Sequence, residues 1–159
     1  LLMLPRIPQI YYGTEILMQD FEKPGDHGLI RTDFPGGWAG DHINAFSGIG
    51  LNKDQKDMQL FLKTLLNFRK TSTAIHHGKT IHFAPDSGVY FLFRILEDDI
   101  AFLILNKNEN PVSIDLSRFD ELNIDKKAFR NILTNDTFIW KKTLNLQKKG
   151  SYIFNSIPK

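Results

Sequence analysis

The chain has 159 residues, 42% of them hydrophobic, with 20 basic and 18 acidic side chains and a formal charge of +2. That near-balance argues against an electrostatic nucleic-acid binder. The lack of cysteine excludes disulfides and thiolate chemistry, and no apolar run approaches the roughly 20 residues of a membrane-spanning helix.

In chain order, LLML reads as the tail of a helix stopped by Pro5. The start carries neither an initiator Met nor a signal peptide, so the expectation is a chain that begins inside a domain, with its location left open. PRIPQIYYGTE follows. Ile7, Ile10, Tyr11 and Tyr12 supply strand-type bulk, two prolines favour extended backbone, and Gly13, Thr14 and Glu15 break the run. Residues 5–12 are expected to form a buried strand entering a polar turn.

Residues 18–50 form a long stretch rich in Gly, Asp and Pro. Its Phe21, Phe34, Trp38 and Phe46 argue for an ordered loop, because disordered linkers are poor in aromatics. A helix is expected from Asn52, where Asn52 and Gln55 have capping-box spacing. Met58, Phe61, Leu62, Leu65 and Phe68 make its apolar stripe, Lys56, Asp57, Lys63 and Arg69 make a solvated face, and it fades at Thr71-Ser72-Thr73.

Beyond His76-His77-Gly78 the period changes to two. Strands are expected at 79–84, 89–96, 100–105, 112–116, 128–133, 137–140, around Leu144 and Leu146, and at 151–157, with turn residues between them. The pattern indicates an antiparallel β-sandwich. The fold class is mainly β, and the boundary falls near residues 73–78, dividing the chain into 1–74 and 75–159.

The segments IPQIYYGTEILM and GLIRTDFPGGWAGDHINAF resemble the last strand and following loop of the catalytic (β/α)8 barrel in the α-amylase superfamily. The likeness is to cyclomaltodextrinase and neopullulanase enzymes of Bacteroidetes type. The helix ending in NFRKTSTAI resembles the eighth barrel helix, and the strand-rich remainder resembles the sandwich that follows the barrel.

The resemblance implies a retaining hydrolase of α-glucosidic bonds in cyclodextrins, pullulan or maltooligosaccharides. That chemistry needs a nucleophilic carboxylate and a second carboxyl as acid and base. In the family these groups, and a further stabilising Asp, follow barrel strands upstream of this sequence. The chain is therefore expected to carry no catalytic residue and to be inactive alone, its partners being the upstream barrel part, an α-glucan or cyclodextrin, or a second copy of itself.

The family also implies an Arg and an Asp that hold a glucose unit. Arg31 matches the Arg. The Asp position four residues earlier is His27 here, with Asp26 one before it. Arg31 has a second reading, pairing with Asp33 or Glu15 to hold the loop. Trp38 either stacks on a sugar face or anchors the loop, and Phe34 is expected to anchor. No cofactor is required, although Asp20, Asp26, Asp33 and Asp41 offer oxygen ligands for Ca²⁺, a possibility for the parent enzyme. The alternative function is a non-catalytic carbohydrate-binding or structural β-sandwich module. Trp140, Tyr90 or Tyr152 would be its platforms if exposed, whereas a structural role predicts an apolar face from Phe61, Leu65 and Phe68.

Overall fold

The computed structural model describes residues 1–158. The chain forms two compact units, Leu1–Ile7 with Leu65–Lys159, and Pro8–Thr64. The division falls inside helix α1 (Lys53–Thr71). Among the described residues no helix is long and apolar enough to cross a membrane.

Among its described residues the first unit holds eight strands: β1 (Lys79–Asp86), β2 (Val89–Leu96), β3 (Asp99–Asn106), β4 (Val112–Asp115), β5 (Ala128–Asn131), β6 (Thr137–Ile139), β7 (Thr143–Leu146) and β8 (Gly150–Ser156). Six pair antiparallel in the order β1-β2-β3-β8-β5-β6, and β4 pairs with β7 in a second sheet. Alternation assigns Val89, Phe91 and Phe93 to one face of β2, and Phe102 and Ile104 lie on the same face of β3. With Ile114, Leu144 and Leu146 from the small sheet they form the main core, which also holds Phe119, Phe129, Trp140 and Phe154. Its rings meet edge-on, tilted and stacked; Phe102 meets Phe129 at 5.0 Å and Trp140 at 5.6 Å edge-on and stacks on Phe154 at 4.9 Å.

The turns follow their residues. β1 and β2 are joined by Ser87-Gly88, both at positive φ (48° and 77°), the conformation a tight hairpin requires. A side chain at Gly88 is disfavoured by its positive φ, and its Cβ would have to displace the Asn108 side-chain amide 2.7 Å away. β2 and β3 turn at Glu97-Asp98, and Asp99 belongs to β3.

The opposite face of the large sheet carries Leu92, Ala101 and Ile153, covered by Met3, Leu65, Ala74 and Ile75. Ala74 and Ile75 lie on a short helix, α2 (Thr73–His77), which the sequence pattern leaves unmarked at five residues. Ser72 ends α1 and caps α2 by accepting from the Ile75 amide. Asp99 Oδ2 accepts from the Ala74 amide and the Thr73 hydroxyl.

Four expectations are corrected. Residues 5–12 form no strand, because a parallel barrel strand depends on neighbours that these residues do not find. Leu1–Leu4 is a single turn closed by Leu4 N–H to the Leu1 carbonyl. Leu65 is buried and Phe68 packs beside it, so only Phe61 of the supposed apolar face is exposed. Arg69, assigned to the solvated face, is buried, its guanidinium donating to the carbonyls of Leu2, Leu4 and Arg6.

A second buried arginine, Arg94, donates to the Ile75 carbonyl at 2.8 Å and to the Thr80 hydroxyl. Burial, and after it the charge on Arg69, pull its affinity for the proton below the ordinary arginine value.

Candidate functional site

The candidate residues lie in the unit Pro8–Thr64. Its small core is Ile16, Ala45 and Leu51, with Met18 and Phe34 packed against it. Gly13 makes the first bend. At φ 83° it opens a 3₁₀ turn, Thr14–Ile16, and a Cβ there would strike Met18 at 2.7 Å. Gly13 also accepts from the amides of Ile16 and Met18, which folds the segment back on itself. Glu15 lies on this turn, and its carboxylate accepts no hydrogen bond among the described residues.

After the turn, two side-chain bonds tie the segment to residues near Arg31. The Tyr12 hydroxyl donates to the Thr32 carbonyl at 3.0 Å, and the Thr32 hydroxyl donates to Asp20 Oδ2 at 2.9 Å. Tyr11 and Tyr12, with rings 4.8 Å apart, line a hollow of about 230 Å³ together with Met18, Asp20 and Ile30. Desolvation first, then Tyr11 and the charges of Asp20 and Asp33, hold the Tyr12 phenol above its ordinary value, so it remains a neutral donor at physiological pH. The sequence pattern presents Tyr11 and Tyr12 as strand bulk and leaves this group unmarked. The paired tyrosines before a glycine were the available signal.

Asp26 and Arg31 occupy successive turns that share Gly28. Asp26 Oδ1 accepts from the Gly28 amide at 3.2 Å, and the Arg31 amide donates to the Gly28 carbonyl at 3.0 Å. The Arg31 guanidinium is exposed and makes no ion pair with Asp33, Glu15 or Asp26 among the described residues. Its fork of donors is free for a ligand.

Trp38 stands apart, in a turn organised by Asp41, whose Oδ2 accepts from the amides of Gly36 and Trp38. The indole is 67% exposed. Phe34, in contrast, packs on the small core and meets Phe46 edge-on at 5.4 Å. The structure thus brings Asp26 and Arg31 into one turn system and leaves Trp38 in another.

The four aspartates do not converge on a cation. Asp20 is engaged by Thr32, Asp26 by Gly28, and Asp41 by Gly36 and Trp38. Among the described residues no group of three or more His, Asp or Glu could hold a metal ion. These residues do not fit a calcium site. What the unit offers among the described residues is exposed aromatic area, a free guanidinium and carboxylates of which Asp26 keeps one oxygen unengaged, which suits binding a polyhydroxylated ligand.

Residues 80–155, nearly all of the strand-bearing region, match the profile of the Cyclo-malto-dextrinase C-terminal domain. This region is similar to that domain.

The fold of the chain is similar to that of several solved enzymes. An α-amylase from Geobacillus thermoleovorans, solved in complex with acarbose, is 21% identical, with a TM-score of 0.69 over 99% of this chain and 31% of its own. An Anoxybacillus α-amylase gives 20% identity and a TM-score of 0.66 over 99% of this chain and 30% of its own. A cyclic α-maltosyl-(1→6)-maltose hydrolase from Arthrobacter globiformis gives 17% and 0.56 over 93% of this chain and 26% of its own. At these identities the likeness is one of fold, and the chain spans less than a third of each enzyme's length.

Trp140 is 3% exposed, within the main core. Tyr152 is half-buried against the same core, and Tyr90 against the cluster on the opposite face. Trp140 is therefore no platform for a sugar.

Proposed function

We propose that the chain is the C-terminal part of a retaining α-glucan hydrolase of the cyclomaltodextrinase, neopullulanase or α-amylase type. Its parent acts on cyclodextrins, pullulan or maltooligosaccharides. The observation that carries this reading is the family match over 80–155, joined to fold likeness over the whole length of the chain. In this reading residues 1–74 are the end of the catalytic barrel and 75–159 are the sandwich. The nucleophile, the acid/base and the stabilising carboxylate belong to upstream barrel strands, and the chain alone turns nothing over.

Arg31 and Asp26 orient a glucose unit of the substrate. Arg31 donates to sugar hydroxyls and Asp26 accepts from them. Trp38 offers its face to the carbon-rich side of a pyranose ring. Support comes from the exposed, ion-pair-free guanidinium of Arg31 and the exposure of the indole. The exposed Phe21, Phe46, Ile49 and Leu60 of the same unit call for a cover, which is the upstream barrel part or, in isolation, a second copy of the chain.

A structural module is the second reading, favoured by Trp140 lying in the core, where it cannot stack on a ligand. The two readings separate in one experiment. The chain, verified by intact mass, is incubated with β-cyclodextrin and maltoheptaose, and the affinity for each is measured by titration calorimetry with wild type and Arg31→Ala. The expected result is no turnover, with weak binding that Arg31→Ala lowers about tenfold, the loss of one charge-assisted hydrogen bond. Turnover at the correct mass overturns the assignment of the chemistry to upstream residues. Absence of binding by wild type leaves the structural reading.

A further inference from the structure

The chain leaves the sandwich-bearing unit after Ile7 and re-enters it at Leu65. Arg69 lies about one helical turn beyond the re-entry, on α1. From there its Nη1 donates to the Leu2 carbonyl at 2.6 Å and the Leu4 carbonyl at 2.9 Å, and its Nη2 donates to the Arg6 carbonyl at 2.6 Å. These are the carbonyls that immediately precede the exit.

Little else fixes the end of that segment. Met3 is in the core and Leu2 packs beside it, but Leu4, Pro5 and Arg6 are exposed and Ile7 is 96% exposed. Their backbone forms no strand, and the one backbone bond within the turn is Leu4 to Leu1. A guanidinium suits the gap. Its planar fork presents several donors at fixed angles and stays charged when buried, and carbonyl oxygens are the acceptors that compensate such a charge where no carboxylate stands. Arg69 is 8% exposed, and among the described residues no acid pairs with it.

We infer that Arg69 is a latch that closes the Pro8–Thr64 excursion at its base, holding the outgoing segment from the returning helix. It acts as a non-covalent cross-link between two points far apart in sequence. This holds whether or not the chain binds a glucan.

Limited trypsin digestion of the full chain tests it. Arg6–Ile7 and Arg31–Thr32 are two potential cleavage sites with exposed arginine side chains. Initial rates of cutting at each are read by mass spectrometry. In wild type the Arg6–Ile7 bond is expected to be cut about tenfold more slowly than Arg31–Thr32, because its carbonyl must leave Arg69 to enter a protease. In Arg69→Met the two rates become similar, while the near-ultraviolet circular dichroism of the aromatic core is retained. Arg69→Lys keeps the charge and stem but loses the fork, and gives an intermediate rate.

Equal rates in wild type overturn the inference. So does an Arg6–Ile7 rate in Arg69→Met, or in Arg69→Lys should the Met variant not fold, that stays at the wild-type value.

Discussion

Asp115 closes β4 with its carboxylate in solvent, and Oδ1 accepts from the Ser117 amide at 2.9 Å. The backbone and side chain of Ser117 hold its pKa below the ordinary 3.8. A carboxylate whose folded value is depressed stabilises the fold fully above its unfolded value, and that contribution disappears as the pH falls through the folded value. Asp115→Ala is therefore expected to melt below wild type at pH 7, with the gap closing as the pH falls through the lowered folded value of the carboxylate. A gap in melting temperature that persists in acid would exclude the carboxylate as its source. The buried arginines carry the lesson of this scale. Arg69 and Arg94 were invisible as core residues because hydrophobic pattern assigns every charge to solvent, whereas a long side chain can sink its stem and satisfy its head with carbonyls. Asp26, Arg31 and Trp38 were legible as residue types whose donors, acceptors and aromatic face suit a sugar. Their separation into two turn systems was not, since it depends on which amide each aspartate captures.

Helix α1 begins at the site that its sequence marks. The Asn52 side chain accepts from the Gln55 amide, and the Gln55 side chain accepts from the Asn52 amide, both at 2.9 Å. Asn52→Ala removes one half of this reciprocal cap and is expected to cost about 1 kcal/mol in urea denaturation. A change below a few tenths would mean that the helix end is held by its neighbours alone. The strands were legible for a related reason: each is bounded by residues that force a turn, and β1 with β2, β2 with β3 and β5 with β6 pair with their neighbours in sequence. β2 was read at its observed limits, and β1, β3 and β8 to within two residues at either end. Residues 5–12 carry the same β-branched and aromatic signal yet form no strand. Propensity describes a surface that suits pairing, and the partner must come from elsewhere.

At the scale of the molecule, the two units differ in what holds them. The sandwich-bearing unit has two apolar clusters, one of them dense in aromatic rings, whereas the unit Pro8–Thr64 rests on Ile16, Ala45 and Leu51. The two tryptophans divide between them, Trp38 in the smaller core's unit and Trp140 in the aromatic core. Urea unfolding followed by fluorescence is expected to give two transitions. Trp38→Phe should abolish the earlier one and leave the later one, reported by Trp140. Coincident transitions in wild type would mean that the units unfold as one.

All eight strands of the sandwich come from one uninterrupted run beginning at Lys79, so a breakpoint in the gene at Gly78 would transfer every strand to a new host protein. It would not transfer the cover over the large sheet's outer face, since Met3, Leu65, Ala74 and Ile75 lie before that point. Moving this unit intact into another protein therefore calls for carrying the end of α1 and all of α2 with it. A graft cut at Gly78 would bare Leu92, Ala101 and Ile153 to water in its recipient.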